Sequence, residues 1–205
     1  MSQEIPEIII SRLPLYLRAL RRLEKDSTEF TSSQELGDML NLSPAQIRKD
    51  FSQFGELGTR GQGYQVTFLI KKLCQILNLE TIHNMAVVGA GDVGEALAKY
   101  KNFFHCGFQV TNIFDNDPQK IGKKMSGIEV QDSTQMGRVL QENKIKIAIL
   151  TTPAESAQDV ADQLVKAGIE AILNYAPIEL KVPKCVHVEH IDPAVHLQKL
   201  SYFLN

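Results

Sequence analysis

The chain has no tryptophan, only three cysteines and only five histidines in 205 residues. Cys74, Cys106 and Cys185 are too few and too irregularly spaced for a disulfide framework or a CxxC zinc pair. Their sparse, odd count fits a reducing compartment. No apolar run approaches the ~18–20 residues of a membrane span. The start, MSQEIPEIIISR, puts acids before a short apolar run and lacks the form of a secretory signal, so a cytoplasmic protein is expected. The histidines His83, His105, His187, His190 and His196 show no metal spacing such as HExxH, and no bound metal is expected. A nucleophile elbow, a P-loop lysine and a paired acid and base are also missing, so no catalytic residue is assigned. The formal charge of −2 excludes a simple polycation.

Apolar residues make up 43% of the chain, close to the globular norm, which is enough for a real core. The length allows one large domain or two small ones. The charge is uneven. Residues 1–80 hold ten Lys/Arg against ten Asp/Glu, and residues 81–205 hold twelve against fourteen. Within the first part, 12–25 carries five cations against Glu24 alone, and 43–72 carries five against Asp50 and Glu56. Two basic stretches in a neutral segment predict a one-sided electrostatic footprint. The pattern changes in LNLETIHN (77–84): helices and a Gly-rich turn precede it, and apolar runs alternating with helical segments follow. The expected division is 1–80, 81–190 and a C-terminal helix, 191–205.

In the first part, Leu13, Leu17, Leu20 and Glu24 share one helical face, and a helix ends or bends before Pro14. Ser32 or Ser33 caps a second helix that buries Leu36, Met39 and Leu40. Ser43–Pro44 is a cap hydroxyl followed by proline at the first helical position, which starts a third helix through AQIRKDFSQF. Ile47, Phe51 and Phe54 face inward, leaving Gln46, Arg48, Lys49 and Gln53 outside. A helix, a turn and a second helix with a basic–amide face is the helix-turn-helix pattern, whose Arg and Lys grip phosphates or guanine and whose Gln reads adenine. FGELGTRGQGYQV then reads as a β-ribbon with Arg60 at its tip, suited to the negative minor groove. Together these predict a winged helix with a DNA-facing set of Ser43, Gln46, Arg48, Lys49, Gln53, Arg60, Gly61 and Tyr64.

In the second part, MAVVG (85–89), FQVTNIF (108–114), IKIAIL (145–150), IEAILNY (169–175) and VHVEHI (186–191) read as strands. Helical segments around 92–104, 134–143 and 155–167 separate several of them, so an α/β, doubly wound parallel sheet is expected. MAVVGAGDVGEALAKY is a strand, then Gly89-x-Gly91-x-x-Gly94, then a helix. Asp115 ends the next strand 21 residues past Gly94, the spacing of an acid that binds the adenosine ribose. The candidate cradle is Gly89, Ala90, Gly91, Asp92, Val93 and Gly94, with Asp115. An acid there disfavours a 2′-phosphate, so NADH and NAD+ are preferred to their phosphorylated forms. Coenzyme A is another adenosine ligand for the same crevice. The last helix, AVHLQKLSYFL, presents Leu197, Leu200 and Leu204 on one face, to pack on its own sheet or dock into a partner subunit.

These segments resemble the Rex family of redox-sensing transcriptional repressors. The likeness runs in order through RLPLYLRAL (12–20), SPAQIRKDFSQFGELGTRGQGY (43–64), VVGAGDVGEAL (87–97), FDNDPQKIG (114–122), TTPAESAQDVADQLVKAGI (151–169), ILNYAP (172–177) and VEHIDPAVHLQKLSYFL (188–204). It implies a homodimer whose winged helices bind palindromic double-stranded operator DNA. It also implies a dinucleotide in each Rossmann-like domain, a C-terminal helix swapped between subunits, and release of DNA by NADH. By motif, Tyr100 stands near the nicotinamide, Thr152, Pro153, Asn174 and Tyr175 line the cofactor's far end, and Arg12 and Asp192 are switching ion-pair partners. Gln53 stands where an aromatic residue is more usual, and Pro193 where an apolar one is. The competing reading is a small NAD-dependent oxidoreductase whose N-terminal helices serve dimerisation.

Overall fold

A computed structural model describes residues 5–59 and 61–204. The chain falls into two compact units, Met1–Thr81 and Ile82–Asn205.

Among the described residues, the N-terminal unit is built on five α-helices: α1 (Glu7–Ile10), α2 (Leu13–Lys25), α3 (Ser33–Leu40), α4 (Pro44–Phe51) and α5 (Val66–Ile76). Pro14 sits in the first turn of α2, where its missing N–H costs nothing. Leu13, Tyr16, Leu17, Leu20 and Leu23 form the buried stripe of α2, while Glu24 is exposed. Ser32 caps α3, its Oγ accepting from the Glu35 N–H at 3.1 Å. Leu36 and Gly37 are the residues α3 buries, and Met39 turns outward. A Cβ on Gly37 would meet the Leu42 carbonyl oxygen at 2.5 Å, so the residue here must be small for the chain to turn this tightly into α4. Ser43 caps α4 through the Gln46 N–H at 3.1 Å. The α-helix stops at Phe51 and continues as a 3-10 turn, Ser52–Phe54. Two short strands, β1 (Phe30–Thr31) and β2 (Tyr64–Gln65), pair antiparallel across the helix-turn-helix, and Thr59 bridges Gly63. This is the ribbon of a winged helix. Its rings stack edge-on in series, Tyr16 to Phe51 at 5.0 Å and Phe51 to Tyr64 at 5.2 Å.

The C-terminal unit carries β3 (His83–Val88), α6 (Asp92–Ala98), α7 (Asn102–His105), β4 (Phe108–Asp115), β5 (Lys124–Met125), β6 (Ile128–Asp132), α8 (Met136–Glu142), β7 (Ile147–Leu150), α9 (Ala154–Lys166), β8 (Ala171–Asn174), β9 (His187–His190) and α10 (Pro193–Ser201). The sheet order is β5-β6-β4-β3-β7-β8-β9, parallel except for the edge hairpin β5–β6. Without β5, this is the dinucleotide-binding strand order, with its reversal at β3. Alternation along β3 sends Met85 and Val87 to one face and Ala86 and Val88 to the other, each into its own core cluster. The sheet thus has two covered faces, which is why its central strands read as unbroken apolar runs. The helix expected over 92–104 is two, interrupted at Lys99–Lys101. No residue of α10 is buried; Leu197 is 66% and Leu200 58% exposed.

Candidate functional site

The carboxyl ends of β3, β4 and β7 surround a cleft of about 910 Å³. It opens at the reversal of strand order, where such sheets bind ligands. The loop after β3 is held in shape from three sides. The Gly89 N–H donates to the Phe114 carbonyl at 2.8 Å. The Thr151 hydroxyl donates to the Gly89 carbonyl at 2.8 Å. The Ala90 N–H donates to Asp115 Oδ2 at 2.6 Å. Gly89 has φ +105°, a region side chains rarely adopt, and a Cβ on Gly94 would lie 1.9 Å from the Gly89 carbonyl oxygen. Nothing lies within 4 Å of the place a Cβ on Gly91 would take, so backbone there is open to an approaching phosphate.

Asp115 is almost fully buried. Burial alone would raise its carboxyl. The Asp117 and Ala90 N–H groups and Lys120 outweigh that and hold it below the ordinary carboxylate range. Its Oδ1 accepts from Asp117 N–H at 2.8 Å, and Lys120 Nζ lies 3.2 Å from Oδ2. The acid expected on the ribose therefore also organises the glycine loop, and Lys120 sits beside it at the cleft.

Of the other expected cofactor residues, Val93, Thr152, Pro153 and Tyr175 line the cleft with Gly89 and Gly91. Asp92 is exposed in the first turn of α6. Asn174 does not line the cleft: it is fully buried, accepts from the Ala176 N–H at 2.9 Å and donates to the Ile178 carbonyl at 2.9 Å. Its amide is a strut for the following loop. Tyr100 is half-exposed and rests edge-on against Phe103, outside the cleft. Asp192 caps α10 through the Ala194 N–H at 2.8 Å and lines a separate depression with His190 and His196. Thr151, the first residue of the TTP stretch that the resemblance places at the cofactor's far end, also lines the cleft, and Lys120, in the turn after Asp115, is an addition to the expected set. A dinucleotide fits the donor set: Gly91 leaves open space, and the buried Thr152 hydroxyl has no partner among the described residues.

In the other unit, Arg48 and Lys49 lie exposed on α4, and Gln53 is exposed just beyond it. Arg48 Nη1 donates to Ser33 Oγ at 2.9 Å, beside a notch of about 530 Å³ that Gly61 and Tyr64 also line. Arg60 lies outside the described residues. Two assignments change. Gln46 is half-buried rather than fully outside like Lys49: its Nε2 donates to Asp50 Oδ1 at 2.7 Å, which commits one of its two amide hydrogens. Tyr64 is half-buried, and its ring belongs to the aromatic series beneath α4. Asp50, fully buried, is the centre of this side of the unit. Arg12 grips it through Nε at 2.6 Å and Nη2 at 2.8 Å, and the Tyr16 hydroxyl donates at 2.5 Å. Burial would raise the Asp50 carboxyl; the bonds from Arg12, Tyr16 and Gln46 hold it below its usual range. Burial and Asp50 together push the Tyr16 hydroxyl well up. Within one chain, then, the expected switch pair is committed elsewhere, Arg12 to Asp50 and Asp192 to its helix cap.

Among the described residues there is no group of three or more His, Cys, Asp or Glu placed to hold a metal. No described helix is long and apolar enough to cross a membrane.

Comparison with known proteins joins the two units. A family described as a putative DNA-binding protein N-terminus matches residues 4–52, and one described as a CoA binding domain matches residues 80–178. The redox-sensing transcriptional repressor Rex of Roseiflexus sp. (strain RS-1) is 46% identical over 202 residues, covering 98% of this chain and 92% of that protein. The chain belongs to the Rex family. The Rex of Chloroflexus aurantiacus is 47% identical over 199 residues, covering 97% of this chain and 94% of its own length. Among solved structures, the Rex-family repressor RSP in complex with β-NAD+ and operator DNA is 40% identical. It superposes with a TM-score of 0.94 over 99% of this chain and 94% of RSP. RSP in complex with β-NADH matches at 38% identity and a TM-score of 0.89, over 99% of this chain and 95% of RSP. The winged helix and the cleft therefore occur together in one Rex-family chain.

Proposed function

We propose that this chain is a DNA-binding transcriptional repressor that reads the NADH/NAD+ ratio, and that NADH releases it from a palindromic operator. It works as a cytoplasmic homodimer and as a regulator rather than an enzyme. One observation carries this reading: a single chain similar over 99% of its length both to RSP with β-NAD+ and operator DNA and to RSP with β-NADH.

In the cleft, Gly91 gives the pyrophosphate access to backbone, and the pre-shaped loop spares the cost of ordering it on binding. The ionised Asp115 disfavours a 2′-phosphate. NADH and NAD+ differ by a hydride and by the charge of the ring. A ligand shifts a protein only by its differential affinity for two states, so sensing belongs at the nicotinamide end. Tyr100 and the partner subunit's Asp192 respond to the ring, and Arg12 carries the change to the DNA-binding unit. To reach the partner, Arg12 gives up a two-pronged bond to Asp50, which makes the switch an exchange of carboxylates. The exposed apolar face of α10 supplies the subunit contact.

The match to a CoA binding domain favours one alternative ligand with the same adenosine end. The discriminating experiment is the gel mobility of a promoter fragment with this protein under NADH, NAD+ or coenzyme A. Release by NADH alone is expected. Release by coenzyme A, or steady NADH consumption with carbonyl substrates, overturns the reading.

A further inference from the structure

The buried acid at the base of the reading helix has no place in the scheme above beyond holding Arg12. Asp50 has no exposed surface, and four donor groups from Arg12, Tyr16 and Gln46 converge on its two oxygens. Replacing such an ionic cluster by apolar side chains of similar size is often neutral or stabilising, so stability alone is a poor reason for it. The chemistry of Gln46 offers another. An ionised carboxylate only accepts hydrogen bonds, so the Gln46 amide must face Asp50 with its nitrogen and turn its oxygen away. That spends one of two N–H groups. One donor and the Oε1 acceptor remain, the set that complements the N7 acceptor and N6 donor of adenine in the major groove.

We infer that Asp50 is a positioning residue for base recognition: it fixes the flip and rotamer of Gln46, which reads an adenine from the third residue of α4. The inference rests on the DNA-binding reading. Gln46 on its own would be a flexible side chain with two amide orientations of equal standing, and it would lose rotamer freedom on docking. Tethered at 2.7 Å to a carboxylate that Arg12 and Tyr16 hold in place, it meets DNA already ordered. Asp50 touches no base in this scheme; it acts through Gln46 alone.

The test uses the full-length protein without cofactor and an operator selected from randomised DNA by the unmodified chain. Affinity is measured for that operator and for every single base-pair replacement of it, with the parent, Gln46→Ala, Asp50→Asn and the double variant. Asp50→Asn is expected to flatten preference at the same base pair as Gln46→Ala, by about tenfold, and to leave preference at other positions intact. In the double variant Asp50→Asn should add nothing at that pair. Preference kept at that pair, affinity lowered evenly for all sequences, or additive effects of the two changes each overturn the inference. If Asp50→Asn does not fold, Tyr16→Phe decides: it removes one donor from Asp50 while keeping the ring against Phe51. A partial loss confined to the Gln46 base pair supports the inference, and unchanged preference opposes it. A parent chain that selects no sequence at all refutes the DNA-binding reading instead.

Discussion

Removing Arg12 should expose how much of the N-terminal unit hangs on one buried carboxylate. In Arg12→Ala, Asp50 keeps the Tyr16 hydroxyl and the Gln46 amide but loses the cation that grips it. Breaking a buried ion pair from one side costs about 3–5 kcal/mol. The Arg12 side chain is 17% exposed, so some water reaches the gap and the lower end, ~3 kcal/mol, is the better expectation. For a unit of this size 1 kcal/mol moves Tm by roughly 4–8 °C, so the shift should exceed ~10 °C. The pH dependence carries a sign. The Asp50 carboxyl is held below its unfolded value of ~3.9. Its contribution is therefore complete above about pH 4 and is lost as pH falls through the lower, folded value. Without Arg12, desolvation meets weaker opposition and the folded value rises, so the variant's acid limb should begin at higher pH than the parent's. Thermal unfolding followed by circular dichroism from pH 3 to pH 7 reads both effects. A Tm shift under a few degrees at pH 7, with superimposable acid limbs, would refute the assignment of Asp50 as a buried, Arg12-dependent charge.

Gly94→Ala places a methyl group 1.9 Å from the Gly89 carbonyl oxygen, so the phosphate loop must move. Overpacking costs ~1–3 kcal/mol, so NADH affinity measured by calorimetry should fall by about 5- to 150-fold while cofactor-free operator binding holds. Lys49→Ala, on the exposed face of α4, should relax sequence preference at a cost of ~1–3 kcal/mol. Arg48→Ala should instead weaken all sequences alike and flatten the salt dependence, as gel mobility at several salt concentrations will report. Leu197→Glu with Leu200→Glu puts charge on the bare face of α10 and should leave a monomer by sedimentation.

The sheet was legible because parallel strands buried on both faces must be apolar throughout: β3, β4, β7 and β8 stand out as runs in the sequence. The hairpin β5–β6 escaped notice because an edge needs no such run; GIEVQD alternates and is short. The cleft was legible from Gly89, Gly91, Gly94 and Asp115, whose spacing is dictated by a phosphate, a helix and a ribose. The second task of Asp115, holding the Ala90 amide, leaves no mark on spacing. Helical periodicity placed Gln46 outside with Lys49, and by angle alone that is reasonable. It is incomplete because Asp50, one turn later, is fully buried and draws the Gln46 amide partly inward, and nothing in the order of residues announces a buried acid. Its cation comes from Arg12, thirty-eight positions away, and only tertiary packing brings them together. Asn174 misled in the same way, since a polar residue at the ligand-side end of a strand can brace the following loop rather than the ligand.

Redox-controlled repression requires that cofactor and operator be linked through one protein. Linkage is reciprocal: if NADH lowers operator affinity, operator must lower NADH affinity by the same factor. The direct measurement is the NADH dissociation constant by titration, alone and with saturating operator, and with an equal amount of scrambled DNA of the same length. NADH should bind more weakly with operator and unchanged with scrambled DNA, and NAD+ should show little or no such loss. Equal NADH affinity in all three conditions would contradict redox-controlled repression by this chain.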